Sequence, residues 1–328
     1  MKNVKGKIKL FLKNRRSLYR IVKVIYTAFL HPKRLMKRKS LGDEHPNKTI
    51  LIIRPNSEDA IQGLLSLFVQ SVRWLQYAKE HNYLSYVDYK TYRTQYYDGN
   101  NNAWDFFFQQ PDKLDYDEVY RSNNVVLSGV SLQKTTDDTM FRENVFKDKK
   151  SLNKCHDILV ESIRFTDEVL QLVESENRML HVEDCIGVYI RGTDYAKMKP
   201  PGEFRQPEIA DVVVRVKDFV TRYPGKKIFL VTEDYDYYRA MKQDFPELLT
   251  IVSFDSFITG YDGKDYLSRT KLLEKNKKKR GMDYLVKIIL LSRCRYLISS
   301  ITMGSIAAYC FNGGRYKDEY IFDLGVYS

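Results

Sequence analysis

The amino-acid sequence predicts an α/β protein with two Rossmann-like domains facing a cleft, preceded by a basic amphipathic helical tail. Three observations support this prediction. Short apolar runs stop abruptly at polar residues, which is typical of buried strands. Segments with helical periodicity separate these runs, and strands that alternate with helices form parallel sheets. The chain has 328 residues, enough for two domains of ordinary size.

We divide the chain into a tail (1–45), a first α/β domain (46–155), a connecting helix (156–180) and a second domain (181–328). Lys48 to Arg54 and Leu84 to Tyr89 read as buried strands, and a helical pattern runs between them from Asp59 to His81. An amphipathic pattern from Asp157 to Met179 predicts the connecting helix. The aromatic stretch 92–108 has two interpretations: it faces a carbohydrate, or it packs under a long loop.

The positive charge of the chain is concentrated in its first 40 residues. They hold 14 of the 54 Lys and Arg residues and no Asp or Glu, so the remaining 40 basic residues face 42 acidic ones. Leu18, Ile21, Val22, Ile25 and Phe29 share one helical face, but the apolar run is about ten residues and a span needs about 20. We therefore expect residues 1–40 to lie on an anionic membrane surface. Nucleic acid is not an expected partner, because the body of the chain has no basic excess.

The segment Gly187-Val-Tyr-Ile-Arg-Gly-Thr-Asp194 is the most informative part of the second domain. Cys185 to Ile190 reads as a buried strand, which places Arg191 at a strand end, where open α/β sheets hold ligands. An arginine there can grip a phosphate or carboxylate with its planar donors. Gly192 allows close backbone approach. The alternative is a strand followed by a solvated turn.

Two later segments repeat the pattern of a strand ending in polar residues. Lys226 to Val231 is a strand followed by Thr232, Glu233 and Asp234, and Asp236 to Phe245 follows as a helix. Tyr284 to Arg293 has a helical stripe and leads into a strand from Tyr296. That strand runs into a turn of Ser299, Ser300, Thr302, Gly304 and Ser305, in which Ser305 is expected to cap a helix over 306–311. Such a turn is suited to binding an anion.

Together these motifs resemble the fucosyltransferase superfamily of GT-B glycosyltransferases. Tyr189-Ile-Arg-Gly-Thr-Asp194 is similar to the first motif of the superfamily, His-x-Arg-Arg-x-Asp. The loop through Glu203 to Gln206-Pro207 resembles that of the core α1,6 enzymes. The second and third motifs are similar to 231–234 and to 291–305. The resemblance covers about 184–309, and the order and spacing of the motifs agree.

The resemblance implies an inverting transfer of fucose from GDP-fucose to a hydroxyl group. It implies that Arg191 and the 299–305 turn hold the diphosphate, since cations and N–H donors stabilise the charge of the leaving group. Glu203 is the implied base, Asp194 is the second candidate, and Thr232, Glu233 and Asp234 line the nucleoside. Two residues depart from the motif: Tyr189 replaces the histidine and Gly192 replaces the second arginine. Tyr189, Gly192 and Thr193 are therefore expected beside the donor, and another cation or a backbone donor has to replace that arginine. The basic run 275–280 is interpreted as a solvated or mobile loop near the nucleotide site, and it is one candidate for that cation.

No metal or other cofactor is expected, because the five histidines and four cysteines show no ligand spacing. Two triplets match the Asp-x-Asp pattern with which GT-A glycosyltransferases bind a metal: Asp115-Tyr-Asp117 and Asp234-Tyr-Asp236. Such triplets arise easily by chance in a chain rich in Asp and Tyr. We expect a cytoplasmic enzyme, peripheral on the inner face of the cell membrane, that acts on a surface polysaccharide or glycolipid. Two alternatives are the same fold with another nucleotide-sugar donor and a non-catalytic carbohydrate- or membrane-binding protein.

Overall fold

The structure is a computed structural model that describes residue 25 and residues 35–55, 62–129, 136–137, 139–267, 270 and 275–328. Almost all of the predicted tail helix lies outside the described residues. Among the described residues, no helix combines the length and the apolar character that a membrane span requires. The chain divides into two units: unit 1 comprises 1–140 and 157–166, and unit 2 comprises 141–156 and 167–328.

Unit 1 contains a four-stranded sheet. Its strands are β1 (Lys37–Lys39), β2 (Ile50–Ile53), β3 (Leu84–Val87) and β4 (Val125–Leu127), in the order β1-β4-β2-β3. β2 pairs in parallel with β3 and β4, whereas the edge strand β1 is antiparallel to β4. All four residues of β2 are buried, which explains the uninterrupted apolar run that predicted this strand.

Two helices of unit 1 flank the sheet strands in sequence. Helix α1 (Leu64–Glu80) connects β2 to β3, and the short helix α2 (Tyr116–Tyr120) precedes β4. Asp115 caps α2 by accepting from the backbone N–H of Glu118, so the first Asp-Tyr-Asp triplet has a local structural use. Helix α3 (Lys149–Ser162) crosses the boundary between the two units.

The aromatic stretch 92–108 packs inside unit 1. Trp104, Phe107 and Phe108 are at most 1% exposed, and the ring of Phe108 lies 4.9 Å from that of Phe68 on α1. Asn102 fixes this stretch, because its side chain accepts from Tyr89 N and donates to Val87 O. Of the two interpretations of the sequence, the structure supports packing for these three rings.

Unit 2 contains a five-stranded parallel sheet. Its strands are β5 (Ile186–Tyr189), β6 (Ile228–Val231), β7 (Leu249–Thr250), β8 (Tyr296–Ser300) and β9 (Asp318–Phe322), in the order β7-β6-β5-β8-β9. All residues of β5, β6 and β8 are buried. The α/β class is confirmed, and the order of strands in unit 2 is that of a Rossmann-like half-sheet.

One helix of unit 2 precedes its first strand, and the others follow its strands. The helices are α4 (Asp167–Leu180), α5 (Thr193–Met198), α6 (Ile209–Arg222), α7 (Tyr235–Asp244), α8 (Lys277–Arg293) and α9 (Met303–Asn312). The prediction of one continuous helix over 157–179 was wrong, because α3 ends at Ser162 and α4 begins at Asp167. Phe165, between them, bridges to Phe108. The interpretation of 275–280 as a solvated loop also needs correction, because α8 begins at Lys277, where the Asn276 side chain caps it.

Candidate functional site

The candidate site lies where the direction of strand order reverses in the sheet of unit 2. From β5 the chain proceeds outward through β6 and β7, then returns to add β8 and β9 on the other side of β5. The loops after β5 and β8 therefore diverge and leave a crevice, which is where open α/β sheets bind ligands. Arg191 follows β5 and Thr302 follows β8, so both lie at this crevice.

Arg191 is held by two carboxylates. Its Nη2 lies 3.3 Å from Asp194 Oδ1, and its Nε lies 3.9 Å from Glu233 Oε1, beyond hydrogen-bond distance. Its guanidinium carbon is 4.1 Å from the centre of the Tyr195 ring, a cation–π arrangement. Desolvation opposes the charge, but Glu233 and Asp194 outweigh it and raise the pKa of Arg191. Arg191 is therefore a permanent, preorganised cation.

Part of Arg191 is still available to a ligand. Its side chain is 32% exposed. Its Nε is buried, and no atom of the described residues accepts a hydrogen bond from it. A buried donor without an acceptor is costly and marks a place where a ligand or water completes the bonding.

The turn after Arg191 is locked to the end of β6. Thr193 has a left-handed backbone (φ +47°), its N–H donates to Asp234 Oδ2 at 2.6 Å, and its Oγ1 donates to Glu233 Oε1 at 2.8 Å. A left-handed conformation costs a branched residue of order 1–2 kcal/mol, which these two bonds offset. Asp234 Oδ1 also accepts from Asp236 N and so caps α7.

This lock explains the glycine at position 192. A Cβ atom on Gly192 would lie 2.6 Å from Asp234 Cγ and would overlap the rest of that side chain. Asp234 therefore fills the space that a side chain at position 192 would need. Thr193 and Asp234 are buried (2% and 8% exposed), and Thr232 (4%) accepts from Asp234 N, so their described contacts are internal.

The turn after β8 forms the start of α9. Thr302, not Ser305, is the cap: its Oγ1 accepts from Gly304 N and Ser305 N, and the Ser305 hydroxyl accepts from Thr302 N. This reciprocal capping box leaves the N-terminus of α9, with its partial positive charge, at the crevice. The predicted cap was therefore wrong by three positions.

The hydroxyl groups of Ser299, Ser300 and Ser305 do not face the crevice. All three residues are fully buried. Ser299 donates to Ser300 O, Ser300 donates to Gln206 Oε1, and Ser305 donates to Ser300 O. The predicted contact of these hydroxyls with the diphosphate is corrected accordingly: they order the turn, because β8 lies inside the sheet.

Two tyrosines pack against the start of α9. Tyr189 and Tyr284 share a hydrogen bond between their hydroxyls (2.9 Å), and a Cβ on Gly304 would lie 2.5 Å from each of these oxygens. Burial raises the pKa of both phenols, so they stay neutral. Tyr284 belongs to α8, and nothing in its local sequence indicated that it reaches the site.

The two candidate bases differ in their surroundings. Asp194 is 1% exposed, it pairs with Arg191, and its Oδ2 accepts from Leu267 N at 3.1 Å. It therefore braces Arg191, and the structure leaves it little access to an acceptor. Glu203 is half-buried in a loop that is pinned by Gly202 N to Tyr327 O and by Tyr327 N to Glu203 O.

Tyr195 packs against the arginine, with the Arg191 guanidinium 4.1 Å from the centre of its ring. Burial is the main reason that the pKa of Tyr195 is raised, and the charge of Glu203 adds to that shift. Tyr195 was not among the predicted site residues, although it lies only four residues after Arg191.

The charge around Arg191 is unusual for a phosphate site. Asp194 and Glu233 both act on this one cation, and a third carboxylate, Asp234, accepts from the backbone N–H of Thr193 two residues along the chain. A diphosphate would therefore need positive charge from elsewhere. Among the described residues, no group of three or more His, Cys, Asp or Glu is arranged to hold a metal ion, and metal independence stays a prediction.

The chain is similar in structure to several solved fucosyltransferases. The NodZ α-1,6-fucosyltransferase soaked with GDP-fucose matches 81% of this chain and 93% of its own, with 13% identity and a TM-score of 0.49. POFUT1 with GDP-fucose matches 87% and 100%, with 9% identity and a TM-score of 0.48. A variant of Arabidopsis thaliana FUT1 with GDP matches 86% and 72%, with 11% identity and a TM-score of 0.47. No family model and no curated protein matches the sequence.

Proposed function

We propose that this chain is an inverting glycosyltransferase that moves fucose from GDP-fucose to a hydroxyl group. One observation carries the proposal. A permanent cation, Arg191, lies at the reversal of strand order with a third of its side chain exposed and its buried Nε without an acceptor. A leaving diphosphate would supply that acceptor, and the choice of fucose and of GDP rests on the resemblance of the sequence motifs.

In the proposed reaction the acceptor oxygen forms a bond to the anomeric carbon of the sugar. The bond from that carbon to the β-phosphate oxygen breaks, and the nucleoside diphosphate leaves with both electrons. Arg191 and the N-terminus of α9 stabilise the negative charge that develops on the phosphate. Glu203 receives the proton of the acceptor hydroxyl. Asp194 orients Arg191 and takes no proton.

The basic run 275–280 is the proposed source of a second cation for the diphosphate. Helix α8 begins at Lys277 and runs back to the start of the next parallel strand, so its N-terminus lies at the carboxyl edge of the sheet. Tyr284 of the same helix packs against Gly304 at the start of α9.

A nucleotide panel tests the donor. GDP should raise the thermal midpoint of the protein more than UDP, ADP or CDP at equal concentration, because a ligand stabilises the native state by mass action. Stabilisation by UDP and not by GDP would favour the second candidate, the same fold with another donor. Gly192 stands in place of the second arginine of the motif and packs against Asp234, and this is the observation that favours this candidate.

Glu203→Gln tests the catalytic assignment, with Glu208→Gln as the matched control in an exposed position of the same loop. Loss of a general base typically lowers the rate by about 10²–10⁴-fold. Glu203→Gln should lower kcat by that order and leave GDP affinity unchanged, whereas Glu208→Gln should alter neither. If neither change affects turnover, the assignment of Glu203 is wrong, whereas a complete lack of donor turnover by the unmodified chain would favour a non-catalytic binding protein.

We also propose attachment to the inner face of the cell membrane, where a growing surface polysaccharide or glycolipid would be the acceptor. The uncompensated positive charge of residues 1–40 supports this. The variant Arg15→Gln/Arg16→Gln/Arg20→Gln should bind anionic vesicles more weakly in sedimentation, by about fivefold per lost charge at low salt. Vesicle binding equal to that of the unmodified chain would reject attachment through the tail.

A further inference from the structure

Unit 1 contains a polar cavity of about 280 Å³ that the proposed reaction does not use. Six polar residues and two valines of β4 line it, and none of them is a carboxylate: Arg38, Lys39, Ser40, Thr49, Asn123, Asn124, Val125 and Val126. Two of these are cations and two carry amide donors. The lining is therefore complementary to a small anion.

The cavity lies at the amino edge of the sheet of unit 1. Thr49 immediately precedes β2, and Asn123 and Asn124 immediately precede β4. The antiparallel pairing of β1 places Lys39 opposite Val125, at the same edge. Sugar and nucleotide ligands of α/β sheets bind at the opposite, carboxyl edge. This cavity is therefore separate from any acceptor site on that sheet.

Both cations of the cavity are exposed, and among the described residues Arg38 is held by a side-chain hydrogen bond. Arg38 Nη2 donates to Tyr83 OH at 3.2 Å, which fixes the guanidinium without neutralising it. Within the described part of the chain, no carboxylate forms an ion pair with Lys39. Glu44, close by in sequence, is paired with Arg121 at 2.8 Å.

Hydrogen bonds fix the side-chain amide of Asn124 and the backbone of Asn123 and Asn124. Asn124 Nδ2 donates to Pro46 O at 2.7 Å, and Asn124 O accepts from Ile50 N, where β2 begins. Asn123 N donates to Glu44 O at 2.7 Å. The wall of the cavity is thus preorganised, which lowers the ordering cost of binding an anion.

We infer that this cavity binds the phosphate of an anionic phospholipid headgroup. Strand β1, which supplies Arg38 and Lys39, follows directly on the segment that holds the positive excess of the chain. That continuity favours a lipid over a soluble anion, because the tail and the cavity would meet the same surface. The inference rests on the proposed membrane attachment and adds a specific pocket to it.

A variant that fills the cavity without changing the charge separates the pocket from the tail. Asn123→Trp should lower binding of the full chain to phosphatidylglycerol-containing vesicles by about fivefold, the effect of losing one cation contact. The matched control is Asn100→Trp, on an exposed loop of the same unit, and it should bind as the unmodified chain does. Vesicles of phosphatidylcholine alone measure the background.

Lys39→Gln is the second variant, in case the tryptophan disturbs folding. It should lower vesicle binding to a similar degree, whereas Lys113→Gln, an exposed lysine outside the cavity, should not. Glycerol 3-phosphate should compete with the vesicles for the unmodified chain and not for Asn123→Trp, because the competing group occupies the same pocket.

Three results would overturn the inference. In the first, Asn123→Trp and Lys39→Gln bind vesicles as well as the unmodified chain does, and glycerol 3-phosphate does not compete. The second is binding of inorganic phosphate that both variants lose while vesicle binding is unchanged, which assigns the cavity to a soluble anion. The third is a failure of the unmodified chain to bind anionic vesicles at all, which rejects the membrane proposal itself.

Discussion

Each of the two units carries an arginine just after the central strand of its sheet, and the two arginines differ in what surrounds them. Arg54 follows β2 and is 8% exposed, and its guanidinium donates to the carbonyl oxygens of Ser128 and Leu35. Arg191 follows β5, and its side chain is 32% exposed and faces the carboxylates of Asp194 and Glu233. Both are preceded by isoleucine in an apolar run.

The difference shows that the strand-end pattern alone does not identify a ligand-binding arginine. In unit 1 the carbonyl at the end of β4 satisfies Arg54 and ties two strands together. In unit 2 the strand beside β5 leads into a helix cap, and the carbonyl oxygen of Ser300 at its end accepts from the hydroxyls of Ser299 and Ser305. Arg54 therefore has a structural role, and Arg191 is preorganised for a ligand.

The largest expected effect comes from exchanging each arginine for lysine. Arg191→Lys keeps the charge but loses the planar donors, so kcat/KM for the donor should fall by about 10²–10³-fold. Arg54→Lys should lower the free energy of unfolding by about 1–3 kcal/mol, because buried carbonyls lose their donors. Steady-state kinetics and urea unfolding of both variants separate the two roles.

The assignment of different roles to Arg54 and Arg191 would be wrong if the two variants changed kinetics and stability in the same way. A large loss of kcat/KM in folded Arg54→Lys would place that arginine in the reaction. Unchanged kinetics in Arg191→Lys would remove the observation on which the proposed function depends.

Lys287 is a third cation with which to test what makes a buried cation structural: its burial or the type of its partner. Lys287 is 13% exposed and pairs with the fully buried carboxylate of Asp255, whose Oδ2 has no hydrogen-bond partner among the described residues. Lys287→Met would leave that charge unpaired and should cost about 3 kcal/mol of stability at neutral pH. The control, Lys287→Met/Asp255→Asn, removes both charges and should recover most of the loss.

The pH dependence of this loss has a defined sign. Desolvation raises the pKa of Asp255 in the folded chain, and Lys287 partly opposes that shift. The native state then binds a proton that the unfolded state releases, so stability falls as pH rises from the ordinary aspartate pKa through the raised one. Lys287→Met should steepen this fall. Urea unfolding at several pH values checks it, and a flat profile would contradict the assigned cause.

A smaller effect on stability is expected from replacing two glycines, Gly63 and Gly192. Each immediately precedes a helix that follows an inner strand of its sheet, β2 or β5. Gly63 precedes α1 and would meet no atom within 4 Å if it carried a Cβ, whereas a Cβ on Gly192 would overlap Asp234. Gly192→Ala should therefore lower the free energy of unfolding by about 1–3 kcal/mol and weaken GDP binding. Gly63→Ala should change stability by less than about 1 kcal/mol.

Thermal unfolding and GDP titration of the two glycine variants provide the measurement. Equal stability of Gly192→Ala and Gly63→Ala would mean that Asp234 moves aside easily. In that case the missing second arginine would need another explanation than the packing of Asp234.

The strands around the site could be predicted because they are buried on both faces. The apolar runs that end at Ile53, Tyr189 and Val231 carry this signal without interruption. Strand β1 (Lys37–Lys39) could not be predicted, because its three residues are all basic and its edge position requires no apolar face. The break before α4 was hidden, because the apolar pattern of α3 continues through Ile163 and Phe165.

The site was only partly predictable for a related reason. Arg191 could be placed from its strand alone, since the end of a strand is a local feature. The burial of Ser299 and Ser300 depends on β9 covering β8, and the reach of Tyr284 depends on the packing of α8, neither of which is local. Thr302 and Ser305 are both good caps, so composition did not distinguish them.

The smallest expected effect concerns the tyrosine pair beside α9. Tyr284→Phe removes the hydrogen bond to Tyr189 and should cost about 1 kcal/mol of stability. Because Tyr284 packs at Gly304, at the start of the helix, GDP affinity should also fall by a few-fold. The matched control in unit 1 is Tyr89→Phe, whose buried hydroxyl bonds to Ser71 and Leu67. It should lose a similar amount of stability with GDP affinity unchanged, and a loss of affinity in both variants would show that the effect reflects general destabilisation and not the position of α9.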